Sequence, residues 1–582
     1  MKFKPPAIGL GTPEEAIRLL QAGRPAESER ICRALIASGT RSAVPAQILG
    51  MLSFQSAKLD ESVRFFRLAS QLDPKSPDAW SNLGHVLSKV GQLAEAVSCL
   101  REAIKLNPRL SNAYSNLAGA LGELGEVAAA IDAGAEAVRL QPNLVEAHVN
   151  LGGIYLGAGL VDKAISSFER AIQLDPNHPG SWSNLLMALQ YSANRTSEQL
   201  LESARQWGSR FPIRPVSFTG QRSDKINIGY VSADLCGHPV GLVMEKLLAG
   251  HDRSRFRVFC YANQPGADEV SKRIEARSDQ WRYMLSLSDA DAAELIRRDQ
   301  IDVLVDLSGH TAGNRLGVFA ERAAPLQVTW MGYFATTGLP AMDFILRDPD
   351  QIPRSEDWQY TEGVWPLRSG AFSFDLSSVP VQACVPATGP IRFGNFNNLA
   401  KISGESLEAW AAVLNAVPGS TLVLARKAYR CESVRDRISK VFEELGVDRN
   451  RILFKCTFGG SAYFDLYRQV DVILDTFPFN GGTTTYEALA SGVPVVAHRW
   501  DRMVGHFAES ILRKCGHEDW VANSVDEYVA VARDLTSCRD RLGEISAGLR
   551  EELERSGLCS AGGCASELED SFTQMLLVRA AA

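Results

Sequence analysis

The sequence predicts an α-solenoid of repeated helical hairpins, followed by two α/β lobes of the Rossmann type. The first observation is a proline that recurs every 34 residues in the first third of the chain, at Pro74, Pro108, Pro142 and Pro176. The second is a change of pattern at Ile226, where short apolar runs begin to alternate with helical segments. Such alternation is typical of βα units in a parallel sheet.

These observations predict four regions. The boundaries are 12–211 for the solenoid, 212–225 for a linker, 226–382 for the first lobe, and 390–582 for a second lobe with a closing C-terminal helix.

Composition narrows the class of protein. The 582 residues carry a formal net charge of −7, which argues against a nucleic-acid binder, because such proteins usually present a basic surface. No apolar run has the length of a membrane span, and Met1 to Gly11 lacks a signal-peptide core, so we expect a cytoplasmic protein. The eleven cysteines form no Cys-x-x-Cys pair and no Cys/His cluster, so no metal is expected.

The 34-residue interval is the period of tetratricopeptide repeats. An aromatic position keeps the same register, at Trp80, Tyr114, His148 and Trp182. Five units fit, of which the first, at about 12–45, is degenerate, and 179–211 is predicted to be a divergent closing unit. We interpret His148 as a packing residue. Arrays of this kind present a concave surface that commonly binds peptides.

Four asparagines share the register on the first helix of successive units: Asn82, Asn116, Asn150 and Asn184. Each amide can donate to a carbonyl and accept from an N–H of an extended peptide. A row of such amides would hold a polypeptide without reading its side chains. A purely local structural role for these asparagines is an equally good interpretation.

The α/β region contains ten predicted strands: Ile226–Val231, Phe256–Tyr261, Asp302–Leu307, Leu326–Trp330, Phe344–Leu346, Ile391–Phe396, Thr421–Ala425, Ile452–Phe454, Val472–Leu474 and Val495–Ala497. A nucleotide is expected in the cleft at the carboxyl ends of these strands. The sequence has neither a P-loop nor an early Gly-x-Gly-x-x-Gly, which disfavours NTPases and dehydrogenases. Asp348-Pro-Asp350 is interpreted as a turn rather than a metal-binding pair.

The most informative stretch runs from Asp471 to Leu489. An apolar strand ends at Leu474, Pro478 to Gly482 form a turn, and a helix begins near Thr483. Two glycines, the threonine hydroxyls and a helix N-terminus suit a phosphate or diphosphate. An α/β protein also needs such turns without any ligand, so this stretch alone leaves both interpretations open.

Five motifs occur in order after the repeats: Gly-Tyr-Val-Ser-Ala-Asp-Leu-Cys-Gly-His-Pro (229–239), Asp-Leu-Ser-Gly-His-Thr (306–311), Ala-Pro-Leu-Gln-Val-Thr-Trp-Met-Gly-Tyr (324–333), Gly-Asn-Phe-Asn-Asn-Leu-Ala-Lys-Ile (394–402) and Leu-Asp-Thr-Phe-Pro-Phe-Asn-Gly-Gly-Thr-Thr-Thr (474–485). With the repeats, they resemble the O-linked N-acetylglucosamine transferase and SPINDLY family, as a bacterial-type member. The resemblance implies an inverting, metal-independent GT-B glycosyltransferase that moves a sugar from a nucleotide sugar to Ser/Thr of proteins. It also implies that the four asparagines hold the acceptor polypeptide.

The resemblance assigns roles to residues of the second lobe. Lys401 matches a lysine that contacts the donor diphosphate, where a fixed cation would stabilise the developing charge. Asn398 falls near the nucleotide, Thr483 and Thr484 on the phosphates, Glu487 on the ribose hydroxyls, and Tyr463 where an aromatic ring stacks on the base. Arg426, which follows a predicted strand, is a candidate for the same cleft or a solvated surface residue.

In the first lobe, the resemblance makes His238 and His310 candidate catalytic residues. We expect His238 to orient the acceptor hydroxyl and to accept its proton as the bond forms, although a donor phosphate oxygen could take that proton instead. Gly482 and Leu242 stand where animal members have histidines.

These departures leave the donor open. A UDP-sugar is favoured over a GDP-sugar, and the alternatives are an O-fucosyltransferase, a flagellin glycosyltransferase, or a repeat-based adaptor without activity.

Overall fold

The computed structural model describes residues 11–56, 58–212, 216, 218, 224–370, 373–381, 389–456 and 460–581. Most of the predicted linker 212–225, most of the connector between the lobes, and the predicted ends at residues 382 and 582 lie outside the described residues. The chain divides into two compact units, Met1–Tyr155 with Arg170–Asn177, and Leu156–Glu169 with His178–Ala582.

Helical hairpins fill the repeat region, as predicted. The helices are α1 (Pro13–Gln21), α2 (Pro25–Ala37), α3 (Val44–Gln55), α4 (Leu59–Leu72), α5 (Pro77–Lys89), α6 (Leu93–Leu106), α7 (Ser111–Leu124), α8 (Val127–Leu140), α9 (Val145–Gly157), α10 (Val161–Leu174), α11 (Pro179–Gln190) and α12 (Ser197–Gly208). The first eight form four hairpins, and α9 and α10 follow in sequence. Helices α11 and α12 form the closing pair, which belongs to the second compact unit.

Local chemistry explains where the repeat helices start and stop. The Ser76 side chain accepts from the Ala79 N–H at the start of α5, and Pro77 occupies the first helical position. Gly91 and Gly125 have φ of 77° and 86°, so the turn between the two helices of a unit uses the left-handed region that glycine tolerates. The recurring proline follows the second helix of each unit, as at Pro74 after α4.

The aromatic position has a second function in the repeat. The Trp80 Nε1–H donates to the carbonyl of Pro74 at 3.0 Å. His148 makes the matching contact, with Nε2 2.9 Å from the Pro142 carbonyl oxygen, and it is buried. His148 therefore packs and hydrogen-bonds as the tryptophan does, in agreement with its interpretation as a packing residue.

The remaining helices lie in the α/β region. They are α13 (Pro239–Gly250), α14 (Glu269–Arg277), α15 (Asp289–Arg298), α16 (Leu316–Ala320), α17 (Gly404–Ala416), α18 (Glu432–Glu444), α19 (Gly460–Phe464), α20 (Thr483–Ala490), α21 (Phe507–Lys514), α22 (Val525–Leu535), α23 (Arg539–Arg555) and α24 (Ala561–Ala581).

Two parallel sheets form the cores of the lobes. The strands are β1 (Ile226–Ser232), β2 (Phe256–Ala262), β3 (Gln280–Tyr283), β4 (Val303–Asp306), β5 (Leu326–Thr329), β6 (Phe344–Arg347), β7 (Gly363–Pro366), β8 (Arg392–Asn395), β9 (Thr421–Ala425), β10 (Ile452–Lys455), β11 (Val472–Leu474), β12 (Val495–His498) and β13 (Val521–Ala522). The first sheet has the order β3-β2-β1-β4-β5-β6-β7, and the second β10-β9-β8-β11-β12-β13.

All ten predicted strands are present, and the fold class is confirmed. The first-lobe core also contains the end of the chain, because Leu568, Phe572 and Met575 of α24 are buried with strand residues of the first sheet. The Glu569 carboxylate fixes this arrangement through a 2.8 Å contact with the His251 ring. The C-terminal helix therefore packs on the first lobe, although it follows the second lobe in sequence.

Candidate active site

The second sheet reverses its strand order between β8 and β11, which lie side by side and pair through Phe393 with Val472. In open α/β sheets the crevice at such a reversal, beyond the carboxyl ends of the strands, is where ligands bind. The segment after β8 carries Lys401. The segment after β11 leads through the predicted turn into α20, which begins at Thr483 as expected.

Asp475 is at the centre of this crevice. Its carboxylate is buried and accepts hydrogen bonds from the Gly481 N–H and from the Asn397 amide, both at 2.9 Å. Burial raises the pKa of Asp475 to about 6, while the Gly481 N–H and the nearby Lys401 favour its charged form. The oxygen of the Asn397 amide accepts in turn from the Thr484 hydroxyl at 2.8 Å. Asp475 thus links the two loops that meet at the strand reversal.

Lys401 closes a short 3-10 helix, Leu399–Lys401, and points to the turn after β11. Its ammonium donates to the Asn480 carbonyl oxygen at 2.7 Å and lies 4.1 Å from the centre of the Phe479 ring. Burial lowers the pKa of Lys401 to about 7; the Asp475 carboxylate opposes this shift, and the Arg426 guanidinium adds to it. This is a cation that an additional negative group would stabilise.

Arg426 follows β9 and brings a second positive charge. Its charge helps to lower the pKa of Lys401, and it favours the ionised form of Glu487. The Nε of Arg426 is buried and has no hydrogen-bond partner among the residues that the structure describes. A buried donor without a partner is costly, so an anionic ligand at this position would be stabilised. Arg426 as a whole is only partly buried, and its place in a donor cleft stays a prediction.

Two tyrosine hydroxyls hold the Glu487 carboxylate on α20. The Tyr463 hydroxyl donates to its Oε2 at 2.7 Å, and the Tyr467 hydroxyl donates to the same oxygen at 3.1 Å. Burial raises the pKa of Glu487, and the two tyrosine hydrogen bonds and Arg426 oppose the rise. The other carboxylate oxygen can accept from a ligand hydroxyl.

The two glycines in the turn between β11 and α20 differ in the space around them. A Cβ at Gly481 would lie 2.5 Å from the Thr484 Oγ1 and 2.8 Å from the Thr485 Oγ1. A Cβ at Gly482 would meet nothing within 4 Å. Because the first N–H groups of a helix lack intrahelical partners, those of Thr483 and Thr484 are available to an anion beside Gly482.

In the first lobe, His238 precedes α13, on the segment that follows β1. Its Nδ1 accepts from the Val240 N–H at 3.3 Å and lies 3.8 Å from the Asp234 carboxylate, and 46% of the side chain is exposed. While Nδ1 accepts, the neutral ring carries its proton on Nε2. A free lone pair on Nε2 requires the proton on Nδ1, where Asp234 is the nearby carboxylate.

Comparison with known proteins decides the family. The profile of glycosyl transferase family 41 matches residues 209–378 and 381–568, and tetratricopeptide-repeat profiles match 77–110 and 145–178. The chain belongs to glycosyl transferase family 41. The resemblance drawn from the five motifs and the repeats is thereby confirmed.

Relatives of this family-41 chain include a probable UDP-N-acetylglucosamine–peptide N-acetylglucosaminyltransferase SPINDLY of Solanum lycopersicum, 35% identical over 405 residues. A UDP-N-acetylglucosamine–peptide N-acetylglucosaminyltransferase of Caenorhabditis elegans is 25% identical over 479 residues. The matches cover 67% and 62% of this chain, but 44% and 41% of those proteins. The chain thus spans less than half the length of these curated relatives.

A solved structure supports the fold class. The O-GlcNAc transferase of Thermobaculum terrenum, determined as a lysine-to-methionine mutant, superposes with a TM-score of 0.81 at 33% sequence identity. The alignment covers 87% of this chain and 98% of that one.

Several second-lobe candidates of this family-41 chain interact with one another. Arg426 influences the ionisation of both Lys401 and Glu487, and the Thr484 hydroxyl reaches Asp475 through the Asn397 amide. Asn398 lies on the same segment as Lys401. Its side chain is exposed, and its Oδ1 accepts from the Ala400 N–H, which caps the short helix that carries Lys401.

Two further candidates are packed among other side chains. Tyr463 is 9% exposed, its ring packs edge-on against Phe464 and Tyr467, and its hydroxyl donates to Glu487. His310 is 2% exposed; its Nδ1 lies 3.1 Å from the Ser183 Oγ and its Nε2 2.8 Å from the Thr337 carbonyl oxygen.

The ring of His310 is packed between aromatic side chains. Trp207 and Tyr333 pack against the ring, and burial lowers its pKa to about 4. With both ring nitrogens engaged, His310 joins the closing helical pair to the first lobe in this structure, and its catalytic role stays a prediction.

Sequence reasoning missed Asp475, Asn397 and Tyr467. The available signal was their place beside named residues: Asp475 directly follows β11, Asn397 precedes Asn398, and Tyr467 lies one helical turn after Tyr463.

Two further findings concern ligands and membranes. The described part of the chain contains no group of three or more His, Cys, Asp or Glu arranged to hold a metal ion. Asp348 and Asp350 instead contact the Lys514 ammonium, at 3.2 and 2.7 Å. Among the helices that the structure describes, none combines the length and apolarity needed to cross a bilayer.

Proposed function

We propose that this chain is a protein O-glycosyltransferase that moves a sugar from a nucleotide-sugar donor to Ser/Thr of polypeptides. The observation that carries the proposal is the meeting of Lys401 and Arg426 with the first turn of α20 at the strand reversal. Among the residues that the structure describes, neither cation has a carboxylate within ion-pair distance, and Lys401 contacts the Asn480 carbonyl oxygen beside the open position at Gly482. A diphosphate has the charge and the size for this position.

Different residues would bind different parts of the nucleotide-sugar donor. Lys401 and Arg426 would neutralise the diphosphate, whose negative charge grows as the glycosidic bond breaks. Thr483 and the N–H groups of the first turn of α20 would hold its oxygens. Glu487, oriented by its two tyrosines, would accept hydrogen bonds from the ribose hydroxyls. Family membership favours a UDP-sugar over a GDP-sugar, and this arrangement needs no metal ion.

The acceptor hydroxyl is assigned to His238. With Nδ1 engaged by the Val240 N–H, Nε2 is the ring nitrogen that can contact an incoming hydroxyl. In this tautomer His238 orients the acceptor oxygen by donating to it, and a phosphate oxygen of the donor takes the proton. If the ring releases Val240 and turns its Nδ1–H to Asp234, Nε2 accepts the proton itself. Attack from the face opposite the diphosphate would invert the anomeric centre.

The nucleotide and the sugar can be tested separately. Calorimetric titration with UDP and with GDP should show preferential binding of UDP at micromolar concentration. Intact-mass measurement of co-expressed acceptor proteins, including flagellin, should then show a sugar increment with a UDP-sugar supply. Binding of GDP alone, with a deoxyhexose increment, would favour the O-fucosyltransferase alternative. Binding of neither nucleotide would contradict the proposal and favour an adaptor.

The asparagine row is proposed to bind the acceptor backbone. Three of the asparagines lie in the first compact unit. Asn116 Oδ1 lies 3.1 Å from the His85 ring, Asn150 donates to the Ser115 Oγ at 2.9 Å, and Asn82 is exposed. These contacts orient the amides but occupy only part of each. Asn184, on α11, is assigned to the same row from its register.

Replacing Asn82, Asn116 and Asn150 together by alanine is expected to weaken capture of an acceptor polypeptide by about tenfold or more, at about 0.5–1.5 kcal/mol for each lost hydrogen bond. Affinity for the nucleotide should not change, because that site belongs to the second sheet. The measurement is acceptor binding by fluorescence anisotropy with an acceptor peptide identified by mass. Asn143→Ala, at an exposed loop position of the same repeats, is the control. Unaltered acceptor affinity in the triple variant would refute the row.

A further inference from the structure

His506 is buried between the two lobes. It immediately precedes α21 of the second lobe, and its side chain is 1% exposed. Its Nδ1 lies 2.8 Å from Oε2 of Glu509 on α21. Its Nε2 lies 3.2 Å from Oε1 of Glu356, which belongs to the 3-10 helix Arg354–Gln359 of the first lobe. One imidazole ring therefore connects a carboxylate of each lobe.

Both ring nitrogens of His506 must carry a proton. An ionised carboxylate can only accept a hydrogen bond, so a ring that contacts two of them donates twice and is an imidazolium. Burial would lower the pKa of His506, but the hydrogen bonds to Glu356 and Glu509 outweigh it and the pKa is raised from 6.5. Burial likewise opposes ionisation of Glu509, yet its contact with His506 lowers its pKa.

Other charged side chains lie near His506 and Glu509 but do not contact the imidazole ring. Glu509 also contacts Arg499, at 3.3 Å, and Arg513, at 2.9 Å. Farther along α21, two positive side chains form ion pairs with carboxylates of the first lobe. Arg513 contacts Asp350, and Lys514 contacts both Asp350 and Asp348. Glu509 thus keeps two arginine partners if His506 is replaced, and Glu356 is partly exposed to water.

The segment before His506 supports the candidate donor site. The Val504 carbonyl oxygen accepts the Asn480 N–H at 2.9 Å, and the Asn480 carbonyl oxygen accepts the Lys401 ammonium at 2.7 Å. Packing here is close, because a Cβ at Gly505 would lie 2.3 Å from the Trp500 Cβ and 3.0 Å from the Pro478 carbonyl oxygen. Displacement of Met503–Gly505 would therefore reach Lys401 through one residue.

We propose that His506 is a positioning residue for the donor site: its imidazolium joins Glu356 of the first lobe to Glu509 of the second and holds Met503–Gly505 against Asn480, whose carbonyl orients Lys401. The effect on donor binding rests on the proposed function, whereas the link between the lobes does not.

The link has a defined pH dependence. Because the pKa of His506 is raised in the folded protein, the stabilisation is fully present below its ordinary value of 6.5 and is lost as pH rises through the folded value. Because the pKa of Glu509 is lowered, its contribution is present above 4.5 and is lost as pH falls through its folded value. The link is therefore weakened as pH rises through the folded pKa of His506 and the ring loses a proton.

The test compares His506→Gln and Glu356→Gln with His517→Gln in the full chain. His517 is a matched control, because its Nε2 lies 2.8 Å from the Glu552 carboxylate within the second lobe and its ring stacks on Trp520. Ring 15N shifts of selectively labelled histidine report protonation of His506, which is assigned by its loss in His506→Gln. Hydrogen exchange at the Asn480 amide reports the position of Met503–Gly505, and calorimetry reports affinity for UDP.

We expect a doubly protonated His506 at about pH 6, below its ordinary value of 6.5. Exchange of the Asn480 amide should be faster by about tenfold in both glutamine variants at the interface, as for loss of one charged hydrogen bond. UDP affinity should fall by a similar factor in these two variants. It should also no longer decline with rising pH as it does in the wild type. His517→Gln should resemble the wild type in both respects. A singly protonated His506, or unchanged Asn480 exchange, would overturn the proposal. Absence of UDP and GDP binding to the wild type would refute the proposed function but leave the first two measurements decisive.

Discussion

Replacing Lys401 by methionine should reduce the rate of sugar transfer by about 10²- to 10³-fold, the usual loss when a preorganised group that stabilises transition-state charge is removed. Methionine keeps the length of the side chain and its packing against Phe479, so the change removes mainly the ammonium. The quantity to measure is the single-turnover rate with saturating donor, which separates chemistry from donor affinity.

Lys440→Met is the control for Lys401→Met, because Lys440 is an exposed lysine on α18 whose ammonium lies 3.7 Å from the Glu444 carboxylate. A transfer rate in Lys401→Met equal to that of the control would remove Lys401 from the catalytic set. The wild type should also take up protons when it binds a diphosphate near neutral pH, since the pKa of Lys401 is about 7 in the free site and added negative charge raises it. Calorimetry in two buffers of different ionisation enthalpy measures this uptake, which should shrink in Lys401→Met.

The fold could be predicted because its signals are local. The repeat period, the apolar runs of the central strands and the strand-turn-helix sequence that ends at Thr483 each depend on residues close in sequence. The three missed strands, β3, β7 and β13, lie near or at sheet edges. They are short, and β3 has polar, partly exposed residues, so the alternation that identifies a strand is absent from it.

The site could be predicted only in part because its decisive contacts join distant segments. Lys401 and Thr483 stand out by residue type, but the function of Asp475 depends on the pairing of β8 with β11, which places Asn397 beside it. The burial of His310 could not be predicted for the same reason. A histidine after a strand resembles a catalytic residue until the helices α11 and α12 cover it with Ser183 and Trp207.

The two adjacent glycines of the candidate phosphate turn should respond in opposite ways to the same substitution. Gly481→Ala places a methyl group 2.5 Å from the Thr484 Oγ1 and 3.0 Å from the Asp475 Oδ1. Such overpacking costs about 1–3 kcal/mol, and here the strain falls on the contacts that align the turn with Asn397 and Lys401. We expect UDP affinity to fall by about tenfold or more, with a lower melting temperature.

Gly482→Ala is the matched partner of this variant, one residue away and with the same change in composition. Its methyl group meets nothing within 4 Å, so the melting temperature should stay at the wild-type value and the turn should keep its shape. UDP lacks the sugar and should bind normally, whereas a nucleotide sugar that occupies the space beside Gly482 should bind more weakly or with altered preference. Comparing UDP with UDP-sugars in both variants therefore separates the diphosphate position from the sugar position.

Equal stability and equal UDP affinity of the two variants would contradict the geometry of the turn. Equal affinity of Gly482→Ala and wild type for every sugar donor that binds would mean that the sugar lies elsewhere.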